Sequence, residues 1–313
     1  MIEKILVIGP FGQIGTELFP ELQKLYGDDN VVALGHKNIP KDFSGIIEKG
    51  DIREKDILKT IITKYKITQI YHLASLLSAV GEKNPQLAWD VNMGGLKNIL
   101  DLAVEFNLKL FWPSSIAVFG PTTPRENTPQ HTSCEPTTMY GVTKFAGELL
   151  CQYYNLKYGL DVRSVRFPGL ISYKAAPGGG TTDYAVAIFY GALTDQKYTC
   201  FVSEDTVLPM MYMDDAIKSI MMLMQADSEK IKIRTSYNLT AISFSVKELE
   251  QEIKKTIPLL KVEYQPDERQ DIANSWPKII DDSIARKDWG WEHKIDLAKM
   301  TKIMLENLKK KLD

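Results

Sequence analysis

A tyrosine and a lysine four residues apart, Tyr140 and Lys144, are the residues best suited to chemistry in this sequence. On a helix this spacing places a phenol and an ammonium one turn apart on the same face. We expect the cation to stabilise a phenolate and to bring its pKa, ordinarily about 10, towards neutrality. A phenol tuned in this way can remove a proton from an alcohol, so the pair predicts a general base.

The same spacing recurs at Tyr153 and Lys157, where it is typical of a solvated helix face. The first pair differs because Ser115, at the end of a short apolar strand, precedes it. A hydroxyl at that strand end could bind the same substrate oxygen as the phenol. We therefore predict Ser115, Tyr140 and Lys144 as catalytic residues and interpret Tyr153 as a surface residue.

The elements that must position these residues begin with a strand, a glycine-rich turn and a helix. The apolar segment 5–8 is followed by Gly9, Gly12 and Gly15, and then by leucines at helical spacing. Such glycines let the backbone turn sharply and approach a pyrophosphate, which binds the free N–H groups at a helix N-terminus. The same triplet could also be only a strand-to-helix turn.

Alternating strands and helices follow this turn. We predict strands at residues 31–34, 69–74, 108–112 and 162–167, and helices at residues 53–66 and 85–107. This alternation predicts an α/β fold, a Rossmann-like doubly wound parallel sheet. Because such sheets bind ligands at the carboxyl ends of their strands, the glycine turn, Asp51, Ala74 and Ser115 should meet there.

The second half of the chain is less regular. We predict a dinucleotide-binding domain at residues 1–172, to which 211–240 return, and a smaller C-terminal α/β substrate-binding region at 173–210 and 241–313. Residues 177–183, with three glycines and two threonines, could hold a polar substrate or form a mobile surface turn. Asp214 or Asp215 is expected to cap a helix that runs to Gln225.

Composition excludes several classes of function. The 313 residues carry 38 basic and 40 acidic side chains without a basic stripe, which argues against nucleic acid or an anionic membrane as partner. Three cysteines and four histidines are scattered, so neither a disulfide framework nor a metal site is expected. No apolar run approaches the roughly 20 residues that span a bilayer, and we expect a cytoplasmic, reducing location.

The glycine turn, Ser115 and the Tyr140/Lys144 pair together resemble the extended short-chain dehydrogenases, which include the NAD-dependent epimerases and dehydratases. Longer strings narrow the resemblance to the short-chain type of L-threonine 3-dehydrogenase. These strings are residues 74–79, 111–124, 168–171, 177–185, 209–215, 269–270 and 288–291. The resemblance spans nearly the whole chain.

What the resemblance implies is oxidation of the 3-hydroxyl of L-threonine by NAD to 2-amino-3-oxobutanoate, which can decarboxylate to aminoacetone. Tyr140 would be the base, Ser115 would orient the hydroxyl, and Lys144 would lower the phenol's pKa and hold the nicotinamide ribose. The implied cofactor residues are Gly9, Gly12, Gln13, Ile14, Gly15, Lys37, Asp51, Ile52, Leu73, Ala74, Ser75, Asn92, Tyr140, Lys144, Pro168 and Ile171. The implied substrate residues are Ser78, Ser115, Tyr140, Gly180, Thr181, Thr182 and Trp276.

Two of these substrate assignments carry specific expectations. Backbone amides near Gly180 would be available to the substrate carboxylate. Trp276 lies beside Pro277, and a tryptophan in that setting is also typical of hydrophobic packing. The resemblance further implies a homodimer, formed by pairing helices 85–107 and 140–158 about a two-fold axis.

One feature departs from the family pattern. The second strand runs into Gly35, His36 and Lys37, and lacks the acidic residue that usually accepts from the adenosine ribose. We expect NAD to remain preferred over NADP, but by a smaller ratio. Two other functions stay open: a nucleotide-sugar epimerase or dehydratase, and a non-enzymatic dinucleotide sensor, which would have no use for Ser115, Tyr140 and Lys144 together.

Overall fold

The structure is a computed structural model that describes residues 2–36 and 39–313, with only the backbone of Ala79. Its strands are β1 (Ile5–Ile8), β2 (Val31–Gly35), β3 (Ile46–Lys49), β4 (Gln69–His72), β5 (Lys109–Ser115), β6 (Glu126–Thr128), β7 (Val162–Phe167), β8 (Gly169–Ile171), β9 (Lys197–Cys200), β10 (Val207–Tyr212), β11 (Tyr237–Asn238), β12 (Ile242–Ser245), β13 (Lys261–Tyr264) and β14 (Ile279–Ile280). Its α-helices are α1 (Gly15–Tyr26), α2 (Lys55–Tyr65), α3 (Ser78–Lys83), α4 (Pro85–Trp89), α5 (Gly95–Glu105), α6 (Met139–Tyr158), α7 (Tyr184–Thr194), α8 (Met213–Gln225), α9 (Val246–Lys254), α10 (Arg269–Ser275), α11 (Ser283–Trp289) and α12 (Leu297–Leu312).

A seven-stranded sheet carries the order β11-β7-β5-β4-β1-β2-β3. The pairs β1–β2, β1–β4, β2–β3 and β4–β5 are parallel. Every residue of β1, β2, β4 and β7 is buried, as expected of strands covered by helices on both faces. The predicted Rossmann-like α/β fold is confirmed. The strand order reverses at β1, because β2 and β3 lie on one side of it and β4, β5 and β7 lie on the other.

The predicted helix at 85–107 consists of α4, a π-helical turn over Asp90–Gly94, and α5. Such a turn inserts an extra residue into the helix and is frequent at functional sites. Here it contains the buried Asn92, whose contacts are described below.

Contacts divide the chain into two compact units. The first unit comprises Met1–Ser115, Thr138–Arg166 and Ile220–Tyr237, and the second comprises Ile116–Thr137, Phe167–Ser219 and Asn238–Asp313. In the second unit β10 lies between parallel β8 and antiparallel β12. Two parallel pairs, β9–β13 and β6–β14, complete its strands among the described residues.

The predicted cap of the helix that ends at Gln225 is wrong. This helix, α8, begins at Met213, so Asp214 and Asp215 lie inside its first turn. The buried Asp215 carboxylate instead accepts from the backbone amides of Lys294 and Ile295, each at 3.0 Å. It therefore anchors a distant segment of the chain rather than the end of its own helix.

Among the described residues, no helix combines the length and the apolar content needed to cross a membrane.

Candidate active site

The structure brings the three predicted catalytic residues together in the first unit. Ser115 is the last residue of β5, and Tyr140 is the second residue of α6. Thr138 caps α6, since its hydroxyl accepts from the Gly141 amide at 3.1 Å. The Ser115 and Tyr140 side chains are hydrogen-bonded to each other, and the Lys144 Nζ lies 5.5 Å from the Tyr140 ring centroid.

Lys144 is buried and fixed against the end of β5. Its Nζ donates to the Pro113 carbonyl at 2.7 Å and lies 4.6 Å from the Trp112 ring centroid. Helix α6 approaches this closely because residue 147 is glycine: a Cβ there would lie 2.5 Å from the Trp112 ring. The backbone of β5 thus sets the direction of the ammonium.

Burial changes the proton affinities of both groups. It raises the pKa of Tyr140 to about 12, which the hydrogen bond with Ser115 lowers only in part. It lowers the pKa of Lys144 to about 7, while Cys151 and Glu148 act in the opposite direction. The expected shift of the phenol's pKa towards neutrality is therefore wrong for the protein without ligand, because burial raises the pKa of Tyr140 by more than the hydrogen bond with Ser115 lowers it.

His72, the last residue of β4, is a second buried titratable group near this site. Burial lowers its pKa to about 3, and the charge of Lys144 adds to that effect. Its Nδ1 has no hydrogen-bond partner in the described parts of the chain. The imidazole is therefore neutral at any working pH and adds no positive charge beside Lys144.

The glycine turn fits a dinucleotide. A Cβ at Gly9 would lie 2.8 Å from the Ala74 amide nitrogen, and one at Gly15 would lie 2.4 Å from the Gly9 carbonyl oxygen, so packing requires both glycines. Gly12 differs, because its Cβ would meet only the Gly9 oxygen at an ordinary 3.6 Å. Its missing side chain leaves space for a ligand, and no side chain caps the N-terminus of α1 that follows.

The predicted adenosine end of the site is strongly charged. Asp51 accepts from the Arg53 guanidinium, with Nη2 at 2.6 Å, and the His36 Nε2 lies 3.6 Å from the same carboxylate. The Arg53 guanidinium lowers the pKa of Asp51 to about 2. Ile52 is buried against Gly95, and Lys37 lies outside the described residues.

Asn92 connects the predicted cofactor loop to α6. Its Oδ1 accepts from the Leu76 amide at 2.8 Å and the Ser75 hydroxyl at 3.2 Å, and its Nδ2 donates to the Thr143 hydroxyl at 3.1 Å. Leu73 continues from β4 and donates its amide to the Ile8 carbonyl at 2.8 Å. The predicted cofactor residues at 73–75 are thus tied both to the sheet and to the helix that carries Lys144.

The predicted substrate residues divide between the two units. Ser78 belongs to the first unit, in α3, which is joined to the start of α6 because Glu82 accepts from the Met139 amide at 2.6 Å. The other predicted residues beyond Ser115 and Tyr140 lie in the second unit: Gly180, Thr181, Thr182 and Trp276, together with the predicted cofactor residues Pro168 and Ile171. Trp276 is buried, and its carbonyl accepts from the Arg125 Nε at 2.9 Å.

The amides near Gly180 are occupied. Asp183 Oδ2 accepts from the amides of Gly178, Gly179 and Gly180 at 2.6, 2.7 and 2.8 Å. The expectation that these amides are available to a substrate carboxylate is therefore wrong for this conformation. A carboxylate is the chemical group that the three amides bind, but the protein itself supplies it.

A buried cluster of Ser114, Glu148 and Arg166 next to the site was not predicted from the sequence. Glu148, one turn beyond Lys144, accepts from Nε and Nη2 of Arg166, which form one edge of the guanidinium, at 2.8 and 2.7 Å. The Ser114 hydroxyl donates to the same carboxylate at 2.6 Å. The helical spacing of Glu148 from Lys144 and the position of Ser114 beside Ser115 were the available signals.

Comparison with known proteins places this geometry in a family. The chain is 49% identical to an uncharacterised epimerase/dehydratase of Staphylococcus haemolyticus, over 99% of both chains. It is 50% identical to a solved L-threonine dehydrogenase of Phytophthora infestans, with a TM-score of 0.96 over 99% of this chain and 100% of that one. A solved monomeric L-threonine 3-dehydrogenase from a metagenome is also 50% identical, with a TM-score of 0.95 over 99% and 100% of the two chains. Residues 5–239 match the NAD dependent epimerase/dehydratase family, and the chain belongs to that family.

Proposed function

We propose that the chain is an NAD-dependent L-threonine 3-dehydrogenase that yields 2-amino-3-oxobutanoate. The proposal depends on one observation: Ser115, Tyr140 and Lys144 lie together at one strand end in the first unit. Solved proteins with half of their residues identical to this chain and with the same fold are described as L-threonine dehydrogenases. The glycine turn supplies the cofactor-binding feature that this reaction requires.

Bound NAD would supply the acceptor for the hydride that leaves carbon 3 of the substrate. Tyr140 would take the proton of the 3-hydroxyl, and Ser115 would hold that oxygen in line with the phenol. Lys144, fixed by the Pro113 carbonyl, would stabilise the phenolate and bind the nicotinamide ribose. The first unit would thus hold the cofactor and perform the proton transfer.

We assign amino-acid recognition to Ser78, Thr181, Thr182 and Trp276, with the backbone at Gly180. The hydroxyls of three of these residues can bind a carboxylate or an ammonium. Carboxylate binding at Gly180 requires Asp183 to release its amides, since the three are donors to its Oδ2 in the described conformation. Substrate binding would then be coupled to rearrangement of residues 177–183.

The test is threonine-dependent formation of NADH, followed by absorbance, with D-threonine, L-serine and a nucleotide sugar in parallel. Tyr140→Phe should lower kcat by about 10² or more with little effect on NAD binding, because it removes the base and keeps the ring. Tyr153→Phe is the matched control, since Tyr153 is an exposed tyrosine of the same helix. Conversion of the nucleotide sugar without threonine oxidation would support the epimerase or dehydratase function instead.

We also propose that the protein forms a homodimer through α4 and α6. Val142, Leu149, Tyr153 and Leu156 form an exposed apolar stripe along α6, and Trp89 of α4 is exposed as well. Their spacing of three, four and seven residues is the pattern by which helices pack against each other. A second copy of the same stripe would cover it by two-fold symmetry.

We propose a cytoplasmic location. Cys151 and Cys200 are thiols outside any disulfide, which suits a reducing compartment where NAD is present.

A further inference from the structure

The three residues at the end of β5 are each held by α6. The Ser115 side chain binds Tyr140, the Pro113 carbonyl binds Lys144, and the Ser114 hydroxyl binds Glu148. The three helix residues follow one another at intervals of four, so they lie on one face of α6. The catalytic contacts and the Ser114–Glu148 contact therefore belong to one continuous seam between a strand end and a helix.

The part of this seam formed by Ser114 and Glu148 is rigid. Glu148 is fully buried, and Arg166 on β7 clamps its carboxylate through two parallel hydrogen bonds at 2.8 and 2.7 Å. Such bidentate pairs fix both distance and orientation. Because β7 is the neighbour of β5 in the sheet, Arg166 connects Glu148 to the sheet that carries Ser114.

We propose that Glu148 and Ser114, held by Arg166, are positioning residues of the dehydrogenase site. The Ser114–Glu148 hydrogen bond fixes the backbone of residues 113–115, and this backbone directs the Pro113 carbonyl to Lys144 and the Ser115 hydroxyl to Tyr140. The inference rests on the proposed function for its meaning in catalysis. The alignment of the Tyr140 phenol that it predicts does not depend on which substrate the protein oxidises.

The charge of Glu148 adds an electrostatic effect to this geometric one. It favours the protonated form of Lys144, whose pKa burial lowers. The titratable or charged groups that face Lys144 and this cluster are Tyr140, Glu148 and Cys151 on α6, His72 on β4 and Arg166 on β7. Of these, Glu148 is the carboxylate, and its loss should leave Lys144 less charged and the Tyr140 phenolate less stable.

Ser114→Ala and Ser114→Thr test the proposal without removing a buried charge. The readout is the pH titration of Tyr140 in the NAD-bound protein, taken as an ultraviolet tyrosinate difference against Tyr140→Phe, together with kcat for threonine. We expect Ser114→Ala to raise the titration midpoint by about half a pH unit or more and to lower kcat about tenfold, because misplaced donors stabilise a phenolate less. Ser114→Thr, which keeps the hydroxyl, should restore both quantities.

Glu148→Gln should change both quantities in the same direction, and Asp161→Asn is its matched control. Asp161 accepts from Nε and Nη2 of Arg163 on the same strand, β7, with the same bidentate geometry at 3.0 and 2.8 Å, but has no described contact with residues 113–115. We expect Asp161→Asn to lower the unfolding temperature and to leave the Tyr140 titration unchanged. A Ser114→Ala protein that titrates and turns over as the wild type does would overturn the proposal. A wild-type protein that fails to oxidise threonine would refute the proposed function, while the titration would still decide the positioning role.

Discussion

Gly147→Ala tests whether the contact between α6 and β5 sets the catalytic geometry. An added Cβ would lie 2.5 and 2.7 Å from two carbons of the Trp112 ring, whereas ordinary contacts begin at 3.4 Å. Trp112 is buried, so a change in its rotamer would have to displace neighbouring core side chains. Relief therefore needs a displacement of about 1 Å between helix and strand, and a misplacement of that size can lower a rate by about 10².

The stability change can be worked from the same contact. Overpacking of a core costs about 1–3 kcal/mol, and replacing glycine by alanine within a helix returns up to about 1 kcal/mol. We expect a net loss of about 1 kcal/mol in the free energy of unfolding. Gly94→Ala is the matched control, because its Cβ would have nothing within 4 Å and it should only gain the helix propensity.

The assays are threonine-dependent NADH formation and denaturant unfolding of both variants. Gly147→Ala should lose about 10² in kcat with little change in NAD affinity, and it should be about 2 kcal/mol less stable than Gly94→Ala. If Gly147→Ala kept kcat within twofold of the wild type, the contact with Trp112 would not control the placement of Tyr140 and Lys144.

Three further predictions concern pH, cofactor and assembly. His72 is neutral in the folded protein, with a pKa of about 3, but takes up a proton near pH 6.5 in the unfolded chain. The free energy of unfolding should therefore fall as the pH drops below 6.5, by about 2 kcal/mol at pH 5. Denaturant unfolding at pH 7 and pH 5 measures this, and equal acid sensitivity in His72→Gln would contradict it. NAD should give a higher kcat/KM than NADP, by a modest ratio. The acidic residue expected at the end of β2 is absent, and His36 and Arg53 lie near that strand end beside Asp51. A clear advantage for NADP would be inconsistent with this reasoning. Light scattering should give twice 35.4 kDa for the wild type but 35.4 kDa for Leu156→Glu, which lies on the α6 stripe. Leu259→Glu is the control: Leu259 is exposed in the second unit, and this variant should keep the wild-type mass. A wild-type monomer would contradict the dimer proposal.

The parallel sheet could be predicted from the sequence because its signals are local. The strands β1 and β7 begin and end at the predicted residues, since each is a short segment with a charged residue before it and glycine or proline after it. The same reasoning failed at Asp214 and Asp215. Their first-turn position suits a helix N-terminus, but the Asp215 carboxylate binds amides that lie 79 and 80 residues away in the chain.

The chemistry of the candidate site was only partly predictable. Spacing placed Tyr140 and Lys144 on one helix face, because helix geometry fixes which residues share a face, and Ser115 distinguished this pair from Tyr153 and Lys157. The pKa of each group depends on burial, which no short motif encodes, and burial dominates in both. The partners of Glu148 and of the amides at 178–180 were equally hidden, since Arg166 and Asp183 are selected by the folded arrangement rather than by a motif.

Burial raises the pKa of Tyr140 and lowers that of Lys144, so a ligand must help to stabilise the Tyr140 phenolate. Moving a proton from the phenol, with a pKa of about 12, to the amine, with a pKa of about 7, costs about 7 kcal/mol before the two charges attract each other. The attraction between the two charges returns part of this cost. The rest of the cost must be met by further positive charge beside the phenol and by hydrogen bonds to its oxygen. His72 is neutral and Arg166 is neutralised by Glu148, so neither of these two described side chains provides that charge. A cationic cofactor ring would, so we expect the base to become active only after the cofactor has bound.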